Sequence, residues 1–278
     1  MNSQIYPCLW FDGKAKEAAE FYCTVFHSGR ILNDSSLVVN FELDGKNFMG
    51  LNGGPLFKIN PSISFTVSCK SITETNQLWD KLFEGGKALM PINKYDWSER
   101  YGWLQDKFGV TWQISVSQDL NPQKITPSFL FANNQFGKAE VAINFYSSVF
   151  SSSKTDLLIH YPAESAYQGN ILYSEFNLNN NSFIAMDGPG GHEFSFNEGV
   201  SLVVECEDQK EIDHYWTKLT SDGGEESMCG WLKDRFGVSW QIIPKGLGQI
   251  LSHPEKGELA MQALLKMRKL EIEKLINP

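Results

Sequence analysis

The sequence predicts an α+β chain of two tandem domains, each built from two β-α-β-β-β units. Three observations carry this expectation. The chain repeats itself, the repeated segments alternate between strand and helix spacing in the same order, and short Asp- or Gly-led turns separate them. The repeat is clearest where Gly102-Trp-Leu-Gln-Asp-Lys-Phe-Gly-Val-Thr-Trp-Gln-Ile114 returns as Gly230-Trp-Leu-Lys-Asp-Arg-Phe-Gly-Val-Ser-Trp-Gln-Ile242. Ten of thirteen positions are identical, and the other three pair Gln with Lys, Lys with Arg and Thr with Ser.

Other segments match in the same order, which marks duplication of a whole domain. Phe21-Tyr22 and Val25-Phe26 return as Phe145-Tyr146 and Val149-Phe150, and Phe41, Leu43 and Phe48 as Phe176, Leu178 and Phe183. Asn52-Gly53 corresponds to Asp187-Gly188, the segment 63–69 to 200–206, and Trp79 to Trp216. The expected domains are 1–121 and 122–245, with 246–278 as a tail that has no counterpart.

Within the first copy, Ile5 to Phe11 is a short apolar run, punctuated by Asp12-Gly13. Ala15, Ala18, Ala19, Tyr22, Val25 and Phe26 then recur at helical spacing, and Ala139, Ala142, Ile143, Tyr146, Val149 and Phe150 repeat that stripe. Two strand-like stretches, 35–43 and 46–52, meet at Asp44-Gly45, a dipeptide suited to the positive φ of a tight hairpin. The next unit places a strand at 63–69 and a helix bearing Ile72, Thr75, Trp79, Leu82 and Phe83, stopped by Gly85-Gly86. Strands near 87–90, 101–105 and 110–115 complete it, the last two joined at Asp106-Lys-Phe-Gly109. In the tail, Ala260, Ala263, Leu264, Met267 and Leu270 form an amphipathic stripe, expected to be a helix packed on the body or on a partner chain.

The composition is that of soluble globular proteins, 42% hydrophobic and 21% charged over 278 residues. A net charge of −9 disfavours phosphate backbones and anionic lipid surfaces, so the expected partner is a small molecule, with no nucleic acid and no membrane, and the chain a monomer or homodimer. No run approaches the roughly 18 apolar residues of a membrane span, and the first 13 residues lack a signal-peptide pattern; a cytoplasmic location is expected. Five cysteines, an odd count without a C-x-x-C pair, argue for buried thiols rather than disulfides or a zinc ribbon. The five histidines form no metal-binding pattern and none recurs between the copies; His192, in the glycine loop, is the one singled out.

The stretch Pro7-Cys-Leu-Trp-Phe-Asp-Gly-Lys-Ala-Lys-Glu-Ala-Ala-Glu-Phe-Tyr22, followed by Gly-Trp-Leu-x-Asp-x-Phe-Gly-Val-x-Trp-Gln, resembles the PhnB-like branch of the glyoxalase, bleomycin-resistance and extradiol-dioxygenase (vicinal oxygen chelate) superfamily. Members often carry the label 3-demethylubiquinone-9 3-methyltransferase. The resemblance implies that paired β-α-β-β-β units curl into a mixed sheet, an open bowl holding a divalent metal or a ligand. Metal-dependent members place ligands on four strands, at positions that fall here near Pro7, Gly50, Ser62 and Gln113, and near Pro127, Ala185, Gly199 and Gln241. Only the two glutamines among these could coordinate an ion, and a neutral amide is a weak ligand. No metal and no cofactor are therefore expected.

On the last strand of the first copy Thr111, Gln113 and Ser115 point one way and Val110, Trp112 and Ile114 the other. Trp112 and Trp240 should pack under the helices, while Gln113 and Gln241 look into the bowls. Asn52 and Asp187 share a strand face with Gly50 and Ala185 and are expected as further ligand-binding residues, with Trp97 and Tyr101 at a pocket rim. Asp106 and Asp234 open turns and are read as structural. Cys229 has no matching thiol in the other copy, and no strand-Gly-rich-loop-helix crossover suits S-adenosylmethionine or a dinucleotide, so no catalytic residue is named and the methyltransferase label lacks support. The leading expectation is a metal-free small-molecule-binding protein. The alternatives are an enzyme of the superfamily (lyase, isomerase or dioxygenase) with atypical ligands, and a scaffold whose bowls are filled by side chains.

Overall fold

The computed structural model describes residues 3–117 and 124–278, so the boundary placed between 121 and 122 lies outside the described residues. Four units follow one another. The first is β1 (Ile5–Phe11), α1 (Ala15–Val25), β2 (Gly29–Asp34), β3 (Val38–Leu43) and β4 (Lys46–Asn52); the second is β5 (Ile63–Cys69), α2 (Ile72–Phe83), β6 (Lys87–Tyr95), β7 (Ser98–Gln105) and β8 (Thr111–Val116). The third is β9 (Ile125–Ala132), α3 (Ala139–Val149), β10 (Ser153–His160), β11 (Ile171–Leu178) and β12 (Asn181–Gly188). The fourth is β13 (Val200–Cys206), α4 (Gln209–Leu219), β14 (Glu225–Glu226), β15 (Trp231–Lys233) and β16 (Ser239–Pro244). The strand missing from the sequence reading, β2, is an edge strand with exposed Ile31 and Leu32, so it carries no buried period to detect. Among the described residues no helix is long and apolar enough to cross a membrane.

The strands form two eight-stranded mixed sheets in the orders β14-β15-β16-β13-β1-β4-β3-β2 and β10-β11-β12-β9-β5-β8-β7-β6. Each sheet therefore takes one unit from each half of the chain. Units one and four join where β1 runs antiparallel to β13, Ile5 opposite Val204 and Cys8 opposite Ser201. Units two and three join where β5 runs antiparallel to β9, Ser64 opposite Ser128. The two halves complete each other's sheets within one chain, a pairing that sequence leaves open.

The four long helices cover one face of each sheet, and within each half the helix-covered faces meet in a common core. In the first half a ladder of rings crosses between the sheets: Phe41 on Phe48 at 5.4 Å, Phe48 on Phe65 at 5.2 Å and Phe65 on Trp112 at 5.4 Å. Trp112 and Trp240 are fully buried there, as their alternation with the glutamines predicts. Helices α2 and α4 start at side-chain caps, with Ser71 Oγ accepting from the Glu74 amide and Asp208 Oδ1 from the Glu211 amide.

The repeated Asp-x-Phe-Gly turn does more than shape local backbone. Asp106 Oδ1 accepts from the amides of Phe108 (2.8 Å) and Val110 (3.0 Å), and Oδ2 accepts from Tyr22 Oη and Trp112 Nε1, each at 2.8 Å. Asp234 repeats all four bonds with Phe236, Val238, Tyr146 and Trp240. Gly109 and Gly237 close these turns at φ near +90°, where a side chain would strain the backbone. Each carboxylate clasps the helix of one unit to the last hairpin of the next. Burial pushes both carboxyls up to about 6, while the four donors pull each down.

The tail is not one helix. It breaks into α5 (Leu247–Leu251), α6 (Gly257–Leu264) and α7 (Ile272–Ile276), with Met267 and Leu270 in the irregular stretch after α6.

Two outcomes follow for stability. Asp106→Asn keeps an acceptor for the two amides but turns an NH2 group toward Trp112 Nε1, and should cost about 1–3 kcal/mol in urea unfolding, with Tyr22→Phe milder. Lys46, 6% exposed, donates only a long 3.5 Å bond to the Ile5 carbonyl and lies 5.7 Å above the Phe183 ring, so burial lowers its amine to about 8. The folded chain then sheds this proton more readily than the unfolded one, and stability should rise between pH 8 and 10. Lys46→Met should stabilise by about 1–3 kcal/mol at pH 7 and abolish that rise.

Candidate ligand site

The faces opposite the helices are the bowls. On the second sheet this face carries Ser64, Thr66, Tyr101, Trp103, Gln113 and Ser115 from unit two and Ser128, Leu130, Met186, Tyr173 and Glu175 from unit three, by strand alternation. Gln113 sits at its centre, 8% exposed. Its Nε2 donates to Ser64 Oγ at 2.7 Å and its Oε1 accepts from Tyr101 Oη at 2.8 Å, so the amide is locked in one orientation. Thr66 Oγ1 and Ser128 Oγ are 2.7 Å apart beside it. Among the described residues Trp103 Nε1 is buried with no acceptor, an orphan donor on the same face as Gln113.

This sheet is curled. Tyr101 on β7 and Tyr173 on β11 are five strand spacings apart, about 24 Å in a flat sheet. The Tyr173 hydroxyl is nonetheless raised by burial, then by the Glu175 carboxylate to which it donates at 2.8 Å, and also by the Tyr101 phenol. Between the strands that carry Tyr101 and Tyr173, the floor residues Ser64, Gln113 and Ser128 are buried, at 1%, 8% and 0% exposure. At the rim, Tyr95 stacks on Trp97 at 4.9 Å and both meet the Tyr101 ring edge-on near 5.7 Å, while Trp97 is 64% exposed.

On the first sheet the matching face is occupied by the tail. Tyr6, Cys8, Val203 and Ile243 form one cluster with Leu264, Met267, Leu270 and Leu275, and Met49 and Leu51 pack against it. The tail is tied down by backbone bonds from Cys229 N to Met267 O (2.7 Å) and Gly230 N to Arg268 O (2.8 Å), and by Gln209, which binds Leu270 O and the Ile272 amide. Gly230 has φ +83°, and a Cβ there would lie 3.1 Å from Leu270. Gln241 keeps the Gln113 arrangement, donating to Ser201 Oγ at 3.0 Å, but lies under the tail. Cys8 is buried beside it and its thiol is pushed up to about 12, which leaves it inert.

The copies have diverged to suit. Val203, Ile243, Cys229 and Cys8 in the filled bowl stand where the open bowl has Thr66, Ser115, Tyr101 and Ser128. Polar side chains line the face that the tail leaves uncovered and apolar ones the face the tail covers.

Several expected positions fall elsewhere. Asn52 and Asp187 do share the faces of Gly50 and Ala185, but those faces are the helix-covered ones. Asn52 Oδ1 accepts from the Ala15 amide at 2.9 Å, and Asp187 accepts from the amides of Gly137, Ala139 and Ile171, so the pair cap the starts of α1 and α3. Neither joins Gln113 or Gln241. Gly50 faces Ala15, Ala185 lies in the core, and Pro7 and Pro127 stand opposite Leu202 and Phe65, both core residues. The bowl-facing neighbours are Cys8 and Ser128, with Met49 and Ile184 on the adjacent strands. Ser62 and Gly199 precede Ser64 and Ser201 by two residues, at the ends of β5 and β13. Trp97 and Tyr101 lie together, Tyr101 bonded to Gln113. Sequence reasoning missed Tyr173, Glu175 and Trp103. The signal was available, since Tyr173 and Glu175 match Val38 and Asn40 when Phe176 is set against Phe41.

A divalent metal of the kind used elsewhere in the superfamily does not fit these residues. The open bowl offers hydroxyls, one amide already bonded at both ends and a single carboxylate, Glu175, and among the described residues no three His, Cys, Asp or Glu side chains converge. His192 Nε2 is buried without a partner beside Gly188, near Leu130, with no second ligand. A groove of about 1130 Å³ near Asp44 and Lys124 lies away from both glutamines, and its Lys124 is already neutralised by Asp44 and Glu74.

The sequence pattern of the 3-demethylubiquinone-9 3-methyltransferase family matches residues 3–115 and again 123–243. A putative 3-demethylubiquinone-9 3-methyltransferase, PhnB protein, from Bacillus cereus is 32% identical over 40% of this chain and 98% of its own, with a TM-score of 0.39. Glyoxalase I from Zea mays is 11% identical over 86% of this chain and 92% of its own, with a TM-score of 0.56, a likeness of fold. No curated protein matches.

Leu270, fully buried in the filled bowl, reports whether the tail is part of the core. Leu270→Ala should lower unfolding free energy by about 2–4 kcal/mol; a loosely attached tail would give under about 0.5 kcal/mol.

Proposed function

Since the chain belongs to the 3-demethylubiquinone-9 3-methyltransferase family, whose glyoxalase-like fold builds two bowls, we propose that it is a metal-free small-molecule-binding protein with one working site, the open bowl around Gln113. The observation that carries this is the divergence of the two copies. The same glutamine-serine pair floors both bowls, yet only one is left open and lined with hydroxyls, phenols and an unpaired indole donor. The tail takes the place of a ligand in the other.

Gln113 serves as an orienting group. With Oε1 held by Tyr101 and Nε2 by Ser64, it presents fixed dipoles inside an apolar rim of Leu130, Met186 and Trp97, the combination that gives small-molecule sites both affinity and orientation. Trp103 Nε1 offers the ligand a hydrogen bond that the protein itself leaves unmade. The family's name refers to a methyl transfer; the one carboxylate named on the open-bowl face, Glu175, is held by the Tyr173 hydroxyl, and binding is what these residues support.

The neutral fluorophore N-phenyl-1-naphthylamine tests this. It should bind one molecule per chain, and Ser128→Trp, which fills the floor of the open bowl, should abolish binding while circular dichroism stays unchanged. Two molecules per chain, or binding indifferent to Ser128→Trp, would contradict the proposal.

A further inference from the structure

The open-bowl face carries a carboxylate beside an unusual number of rings. Glu175 is the only ionised side chain among the bowl-facing residues named above, and its Oε1 is steadied by Tyr173 at 2.8 Å. Tyr95, Trp97, Tyr101, Trp103 and Tyr173 supply π faces around the same concavity. Of the two basic residues adjacent to the rim rings, Arg100 is turned away, its Nε donating to Asn76 on α2 at 2.7 Å, and Lys94 is exposed. In the filled bowl the positions of Glu175, Tyr173 and Tyr101 are Asn40, Val38 and Cys229. The acid and the two phenols are thus present only where the bowl is open.

We propose that the open bowl selects an organic cation, an amine or quaternary ammonium carried on an aromatic or apolar body, with its charge between Glu175 and the faces of Tyr101, Tyr173 and Trp97. This rests on the open bowl being the ligand site. Aromatic faces attract cations through the ring quadrupole, and the attraction grows where water is excluded. A carboxylate on the same concave face, bonded to Tyr173, adds a directional charge, and the chain's net charge of −9 draws cations toward it while repelling anions. The unpaired Trp103 Nε1 requires an acceptor, so the body that fits best bears an ether, ester or carbonyl oxygen.

Three fluorescent probes with one aromatic body and different charge separate the possibilities: (2-naphthylmethyl)trimethylammonium, 2-naphthylmethanol and 2-naphthylacetate. The cation should bind about tenfold more tightly than the alcohol, with the acetate weakest. Glu175→Gln should remove most of the cation's advantage and leave the alcohol unchanged; Trp97→Ala should weaken the cation more than the alcohol. Equal affinity for cation and alcohol, or preference for the acetate, would overturn the cationic class while leaving the open bowl as the site. Absence of binding by all three, or binding unaffected by Ser128→Trp, would overturn the site itself.

Discussion

Two buried carboxylates hold the molecule in register. Asp106 and Asp234 each satisfy two turn amides, a tyrosine hydroxyl from the helix of the preceding unit, 84 and 88 residues earlier, and the indole of the tryptophan next to the bowl glutamine. A carboxylate out of water is tolerable only with partners of this number. Once the clasp forms, the hairpin leading into β8 or β16 has one position relative to its helix. Trp112 and Trp240 must then face the core, and Gln113 and Gln241, one residue on, must face the bowl. The most closely repeated segment of the sequence is therefore explained by folding, and its one bowl-facing amide comes along as a fixed consequence.

That constraint leaves the two bowls free to differ in everything outside the clasp. Duplication inside one chain removes the symmetry that two identical subunits would impose, because each bowl is built from units whose sequences change independently. One bowl has accepted the tail and become core, with Val203, Ile243 and Cys229 where the other keeps Thr66, Ser115 and Tyr101. The other has kept polar and aromatic residues around a glutamine that the tail does not cover. Comparing the copies position by position substitutes for comparing relatives, and it points to the open bowl without reference to any known activity.

Much of this was legible in the sequence, and the failures have physical causes. The helix stripes, the Asp44-Gly45 hairpin, the core tryptophans and the bowl-facing glutamines follow from local spacing, and all are present. Asn52 and Asp187 were placed by a sound period-two argument from a wrong starting face: Gly50 is small because Ala15 packs on it, not because a ligand does. Their polar atoms serve helix starts, a demand that sequence leaves invisible because the helices lack caps of their own. The exchange of units between sheets could not be read either, since β1 beside β13 and β1 beside β5 would bury similar apolar faces. The tail stripe was real, but its last two residues lie in irregular chain, Met267 held by the Cys229 amide and Leu270 by the Gln209 side chain, contacts distant in sequence.

The central claim is that one bowl is open and the other permanently filled. Side-chain amide and indole resonances in a titration with N-phenyl-1-naphthylamine report on both at once. The account predicts that Gln113 Nε2 and Trp103 Nε1 shift with saturation while Gln241 Nε2 and Trp231 Nε1 stay fixed. Matching shifts at both glutamines, or a shift at Gln241 alone, would contradict it.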